Sequence, residues 1–236
     1  MEYELFLKYN ESMSIGLHGH WGDLCKHTWA DIMYWTDETD DEINDEENEG
    51  TKIGHMTWLT YNQTLARVHN VNMDHVGIFK MLQGNRKVFP ELDYTNISQE
   101  TIDEIGETSN PNIVILIHFG ILADFRNKRL GEEVLKGFIE QMLGKCGYIV
   151  IVHNEPAQFG QNSDKDGVYA LQGVSLDNLE KDPEKAQWKL NAFWQRCGFK
   201  QFKNYENVFI CNVEKTVPEL VKAQAATISF NKKSNV

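Results

Sequence analysis

The chain has 236 residues, 41% of them hydrophobic, and a formal charge of −12. That length supports one large domain, residues 1–236, with a sizeable core. Nine of the 35 acidic residues fall in residues 37–49; without them 26 acidic residues face 23 basic ones, and a body so near balance excludes the basic surface that nucleic acid requires.

The acidic run reads as a solvated loop insertion, residues 36–50, without the Asp-x-Asp-x-Asp-Gly order of a calcium loop. The four cysteines are scattered and form no Cys-x-x-Cys pair, which points to reduced thiols. The N-terminal stretch has no basic start or continuous apolar core, and no apolar run reaches the ~20 residues that span a bilayer. The expectation is a cytoplasmic protein with no membrane segment.

Taken in order, residues 3–9 read as a strand. Residues 15–21 and 30–35 are aromatic without a clean period. Residues 52–61 are a strand, and residues 74–82 a short helix with Val76, Phe79 and Leu82 on one side. Ser98 is placed to cap a helix over QETIDEI. Residues 113–122 are almost continuously apolar, the pattern of a strand covered on both faces. A helix follows Arg129, with Val134, Leu135, Phe138, Ile139 and Met142 on one side, and residues 148–152 form a second buried strand. Strand, helix and strand in this order imply two parallel strands with a right-handed crossover. Residues 184–196 read as a helix closed by Gly198, residues 199–202 and 208–213 as a hairpin, residues 217–226 as a last helix and residues 227–236 as a frayed tail.

The most telling segment is IVILIHFGILADFRNKRLG, residues 113–131. A strand stops and a helix starts there, and the free N–H groups of a helix start make a phosphate site. Arg126, Lys128 and Arg129 crowd that point in an acidic protein. Elsewhere His18, His20, Cys25 and His27 have metal-binding side chains but no zinc spacing, so no metal is expected. Trp21, Trp29, Trp35 and Trp58 read as core. No nucleophile elbow or Ser-His-Asp order occurs.

Three segments together resemble the GNAT superfamily of acyl-CoA-dependent N-acyltransferases. Residues 126–131, RNKRLG, are similar to its Gln/Arg-x-x-Gly-x-Gly/Ala pattern, with Arg129 in place of the first glycine. FWQRCGF, residues 193–199, is similar to a helix ending of the type Leu-Tyr-Glu-Lys-x-Gly-Phe. Residues 155–159, EPAQF, look like the Pro-x-Gln-Phe turn of one bacterial branch. The match covers roughly residues 50–213.

The resemblance implies an α/β (α+β) fold, with a mixed, mostly antiparallel twisted sheet, splayed between two central parallel strands and carrying helices on both faces. It implies acetyl-CoA as co-substrate and transfer of an acetyl or short acyl group to the primary amine of a small molecule or peptide. Arg126, Asn127, Lys128, Arg129, Leu130 and Gly131 would hold the pyrophosphate, mainly through backbone amides, and Ile121 and Leu122 the pantetheine arm. His118, on the strand that borders the reaction centre, and Glu155, after the next strand, are candidate bases. Trp194 stands where many relatives carry an acidic tyrosine; Tyr169 and Tyr205 are possible substitutes. A catalytically vestigial CoA-binding module with a regulatory or protein-binding role is the competing reading. Dimers are common in the superfamily, so a homodimer stays open.

Overall fold

The computed structural model describes residues 3–14, 24–36, 50–68, 99–151, 156–157, 179–202 and 208–234. Its strands are β1 (Tyr3–Ser14), β2 (Cys25–Thr36), β3 (Thr51–Tyr61), β4 (Ile113–Ile121), β5 (Tyr148–Ile151), β6 (Lys200–Gln201) and β7 (Phe209–Asn212). All seven form one sheet in the order β1-β2-β3-β4-β5-β7-β6. Only β4 and β5 run parallel; every other neighbouring pair is antiparallel. The helices among the described residues are α1 (Gln63–Val68), α2 (Gln99–Ile105), α3 (Leu130–Gln141), α4 (Pro183–Arg196) and α5 (Val213–Ser234).

Alternating side chains divide the core between the two faces of the sheet, and a smaller cluster of Ile32, Ile53, Leu130 and Val134 lies beside them. One face carries Ile113, Ile115, Tyr148, Val150 and Ile210 against Ala66 of α1 and Ile105 of α2. The other carries Val114, Leu116, Ile149 and Ile151 against Leu135 and Phe138 of α3, Trp194 of α4 and Val217 of α5. Helices on both faces of a mixed sheet are as the sequence led one to expect.

Several boundaries differ from expectation for identifiable reasons. β1 continues to Ser14 across a register shift between Tyr9 and Glu11. β2 occupies a segment with no clean period because it is an interior strand. Its Cys25 belongs to one core and its Ala30 to the other, which erases the polar alternation. β4 is covered on both faces only from Ile113 to Leu116, and its remaining residues are half-buried. α5 continues past Ala226 to Ser234 and contains Pro218. The predicted helix over residues 74–82, the cap at Ser98 and the acidic run 37–49 lie outside the described residues.

The ends of α4 follow their sequence signals. The Asp182 carboxylate accepts from the amides of Glu184 at 3.0 Å and Lys185 at 3.2 Å, and Pro183 takes the first helical position, where its missing N–H costs nothing. At the other end Gly198 adopts φ +93°. Its amide donates to Gln195 O at 3.0 Å and the Phe199 amide to Trp194 O at 3.1 Å. This is the double hydrogen bond of a Schellman cap, and Phe199 packs edge-on against Trp194 with centroids 5.7 Å apart, its usual hydrophobic contact.

The chain leading into β4 is tied to β5, β7 and α5. Tyr148 Oη donates to Gly106 O at 2.7 Å, and Asn212 Nδ2 to the carbonyls of Gly106 at 3.0 Å and Glu107 at 3.1 Å. The Glu214 carboxylate accepts from the amides of Ser109 and Asn110 and from the Ser109 hydroxyl. These bonds hold the start of β4 where it meets β5.

Candidate functional site

β4 pairs with β3 along its length, from Ile113 opposite Tyr61 to Ile121 opposite Gly54. With β5 it pairs only at Ile113, Val114 and Ile115. Ile151 continues β5 but pairs with Phe209 of β7 alone. Residues 116–121 therefore present an unpaired backbone edge on the β5 side among the described residues. The divergence coincides with a bulge: Trp58 faces Leu116 and Thr57 faces His118, leaving Ile117 extra. A bulge bends its strand and sharpens the local twist. Farther along, β3 and β4 approach so closely that a methyl group on Gly54 would strike the Gly120 carbonyl.

The turn after β4 uses some of its amides and leaves others. Leu122 N–H donates to Ile53 O at 2.8 Å, holding the turn against β3, and Phe125 N–H donates to Leu122 O at 3.0 Å. Arg126 N–H donates to Ala123 O at 3.3 Å, and Arg126 Nε reaches back to Ile121 O at 2.9 Å. Beyond that point, among the described residues, the amides of Asn127, Lys128, Arg129, Leu130 and Gly131 have no protein acceptor. Asn127 (φ 62°) and Arg129 (φ 63°) are left-handed and Lys128 between them is not, and alternation of this kind curls successive N–H groups around a concavity suited to an anion. Leu130 then opens α3, whose N-terminal dipole has the matching sign.

Gly131 fits α3 against the end of β4. An added methyl group would lie 3.4 Å from Ile121, 3.6 Å from Phe119 and 3.6 Å from Phe193; alanine fits there, a larger side chain does not. The two carboxylates of the first turn of α3 are held by side chains. Glu133 accepts from Tyr3 Oη at 2.6 Å, and Glu132 from Arg196 Nε at 2.6 Å. The bond to Glu133 pushes the Tyr3 phenol up to about 12. Lys128 Nζ stands 5.3 Å from the centre of the Phe125 ring, which packs on Tyr34. Tyr3, Tyr34 and Phe125 thus border the turn, a neighbourhood that sequence spacing could not reveal because β1 and β2 are more than 80 residues away in the chain.

His118 follows the bulge, on the sheet face opposite α3. Its ring stacks on His55, centroids 4.5 Å apart with 21° between planes. Nε2 is buried without a hydrogen-bond partner. Burial, reinforced by His55, lowers its pKa to about 4. His55 is lowered too, by burial and Lys52, against the opposing influence of Asp31. At neutral pH both rings are uncharged, and His118 is a weaker base than a histidine in water. Period-two alternation could have paired His55 with His118, had the register been known.

Trp194 is buried among Phe119, Phe193 and Phe199, with centroids 6.3, 4.9 and 5.7 Å away. It serves the core. Glu155, Tyr169, Tyr205, Gln158 and Phe159 lie outside the described residues. Among the described residues no cluster of three His, Cys, Asp or Glu side chains could hold a metal, and no helix is long and apolar enough to cross a membrane. Comparison with protein-family models, curated proteins and solved structures found no match.

Proposed function

We propose that this chain is an acyl-CoA-binding N-acyltransferase of GNAT type, moving an acetyl or short acyl group to a primary amine. The observation that carries the reading is the set of amides from Asn127 to Gly131 that are unspent among the described residues, at the start of a helix and directly after a strand whose edge is unpaired among those residues. A diphosphate needs several converging donors, and backbone amides supply them without side-chain entropy. The edge of residues 116–121, unpaired among the described residues, suits the amide groups of a pantetheine arm, which can pair with it as an added strand does.

The geometry narrows the donor set. The amides of Leu122 and Arg126 serve the turn itself, so diphosphate binding rests on residues 127–131. Arg129 occupies the pattern's first glycine position, and its positive φ is a reason for glycine to be common there. The alanine-sized space at Gly131 suits the Gly/Ala alternation at the pattern's last position.

In the proposed reaction a neutral amine attacks the thioester carbonyl, the amine proton leaves for a base or water, and the thiolate departs with a proton. His118, if it takes part, relays a proton through Nε2; with a pKa near 4 it cannot hold that proton at neutral pH. Trp194 supplies no acid, which gives specific support to the second reading, a CoA-binding module that has lost catalysis. Titration calorimetry with acetyl-CoA tests binding: neither heat nor a thermal shift at millimolar ligand would sink both readings. Thiol release over a panel of amines then separates them, since turnover with any amine eliminates the vestigial one.

A further inference from the structure

We propose that the acyl acceptor is an aromatic amine, bound uncharged on the sheet face that carries His27, Trp29, His55 and His118. This acceptor class presupposes the acyltransferase reading and goes one step beyond it. Strand register assembles the face. Trp29 of β2 lies opposite Thr57 of β3, and Thr57 opposite His118 of β4. One row farther along, Asp31 lies opposite His55, and His55 opposite Gly120, which has no side chain. His27 stands two residues before Trp29, and their ring centroids are 3.9 Å apart; those of His55 and His118 are 4.5 Å apart. All four rings are half-buried, which leaves each some contact with solvent. The buried Nε2 atoms of His27 and His118 have no hydrogen-bond partner among the described residues, so protonating either ring would bury an unpaired cationic N–H. The face is therefore flat, aromatic and neutral, and it adjoins residues 116–121, along which the thioester arm would lie.

Charge selects the acceptor. An alkylamine arrives as its ammonium; with the pKa of lysine, about one molecule in 2,500 is uncharged at pH 7. It needs a carboxylate to receive the cation or a base to discharge it. Among the described residues the two rows hold one carboxylate, Asp31. Lys52 Nζ pairs with it at 2.5 Å, and Lys8 lies opposite it on β1, so that end of the face already carries its cations. The imidazoles are no substitute, because burial lowers His27, His55 and His118 below an ordinary histidine. An aromatic amine needs neither group. Its lone pair is delocalised into the ring, so it is uncharged at neutral pH, and the ring offers flat contact to indole and imidazole. In the step itself the amine nitrogen forms a C–N bond to the thioester carbonyl carbon, and the C–S bond breaks with its electron pair on sulfur. The surplus proton becomes acidic once the nitrogen has attacked. Water accepts it and the thiolate takes it up, giving an anilide and a free thiol.

The test uses the full chain, acetyl-CoA and two isomeric amines, p-toluidine and benzylamine, which differ in whether the nitrogen joins the ring. Thiol release at pH 7 is expected to give p-toluidine a kcat/KM at least about tenfold above that of benzylamine. The p-toluidine rate is expected to stay level from about pH 6.5 to 8.5, while any benzylamine rate rises about tenfold per pH unit. Trp29→Leu is expected to raise KM for p-toluidine about fivefold with kcat little changed, and Trp29→Phe to hold KM near wild type. Calorimetry with acetyl-CoA on the same samples keeps the two readings apart. Absence of acetyl-CoA binding removes the acyltransferase reading and the acceptor class with it. If acetyl-CoA binds but benzylamine reacts as fast as p-toluidine, or p-toluidine is not turned over at all, the acceptor class alone is overturned.

Discussion

Arg129→Gly separates what the turn after β4 costs from what it does. Arg129 holds φ 63° and ψ 0°, and its side chain makes no capping bond. Its carbonyl accepts from Glu132 N at 2.9 Å and Glu133 N at 3.2 Å, and glycine preserves both bonds. A side chain in the left-handed region costs about 1–2 kcal/mol. The greater backbone entropy of unfolded glycine returns about 0.5–1 kcal/mol of that. The net expectation is a gain of about 0.5–1 kcal/mol, or about 1–4 °C in Tm for a chain of this size, measured by calorimetry without ligand. Arg129→Ala keeps the strained conformation and removes the same charge, so its Tm should stay near wild type. Both variants should bind acetyl-CoA about tenfold more weakly, the effect of losing one charge-assisted contact worth about 1.5 kcal/mol. If Arg129→Gly unfolds below wild type, the argument from backbone strain is wrong. If the two variants bind as wild type does, the guanidinium is not at the phosphates and only the amides remain as candidates.

Other expectations follow from the same geometry. The folded His118 has a pKa of about 4 against an ordinary 6.5, so as pH falls the unfolded chain takes up its proton first. Its contribution is intact above pH 7, is lost as pH drops through 6.5, reaches about 2 kcal/mol of destabilisation near pH 5 and levels off near pH 4. His118→Gln should flatten the fall in denaturant stability between neutral pH and pH 5, and an unchanged slope would assign it to other groups. Gly54→Ala should destabilise by at least about 2 kcal/mol, because its methyl group meets the Gly120 backbone, while Gly131→Ala should be neutral or slightly stabilising; thermal unfolding of the pair reads both. The thiols of Cys25, Cys146, Cys197 and Cys211 are pushed up to about 12, chiefly by burial. A thiol reagent at neutral pH should leave all four unmodified in the native protein and label all four in denaturant; fast labelling of any in the native state contradicts its burial.

The sequence by itself determined the elements that carry strong local signals. Proline after Asp182 and glycine after Cys197 delimit α4, since capping bonds form within a few residues of chain. The apolar run from Ile113 and the amphipathic stretch after Arg129 announced a strand–helix–strand unit, and the loop between them was legible as a set of donors. Tertiary structure alone decided which amides remain unspent, because Leu122 is claimed by Ile53 of β3. It alone stacked His55 on His118, since strand register is a long-range property. It also packed Trp194 among Phe119, Phe193 and Phe199, and left β4 only half-buried beyond Leu116. A side chain's neighbours across a sheet are set by which strands meet and where pairing slips, and neither is written in any short stretch of the chain.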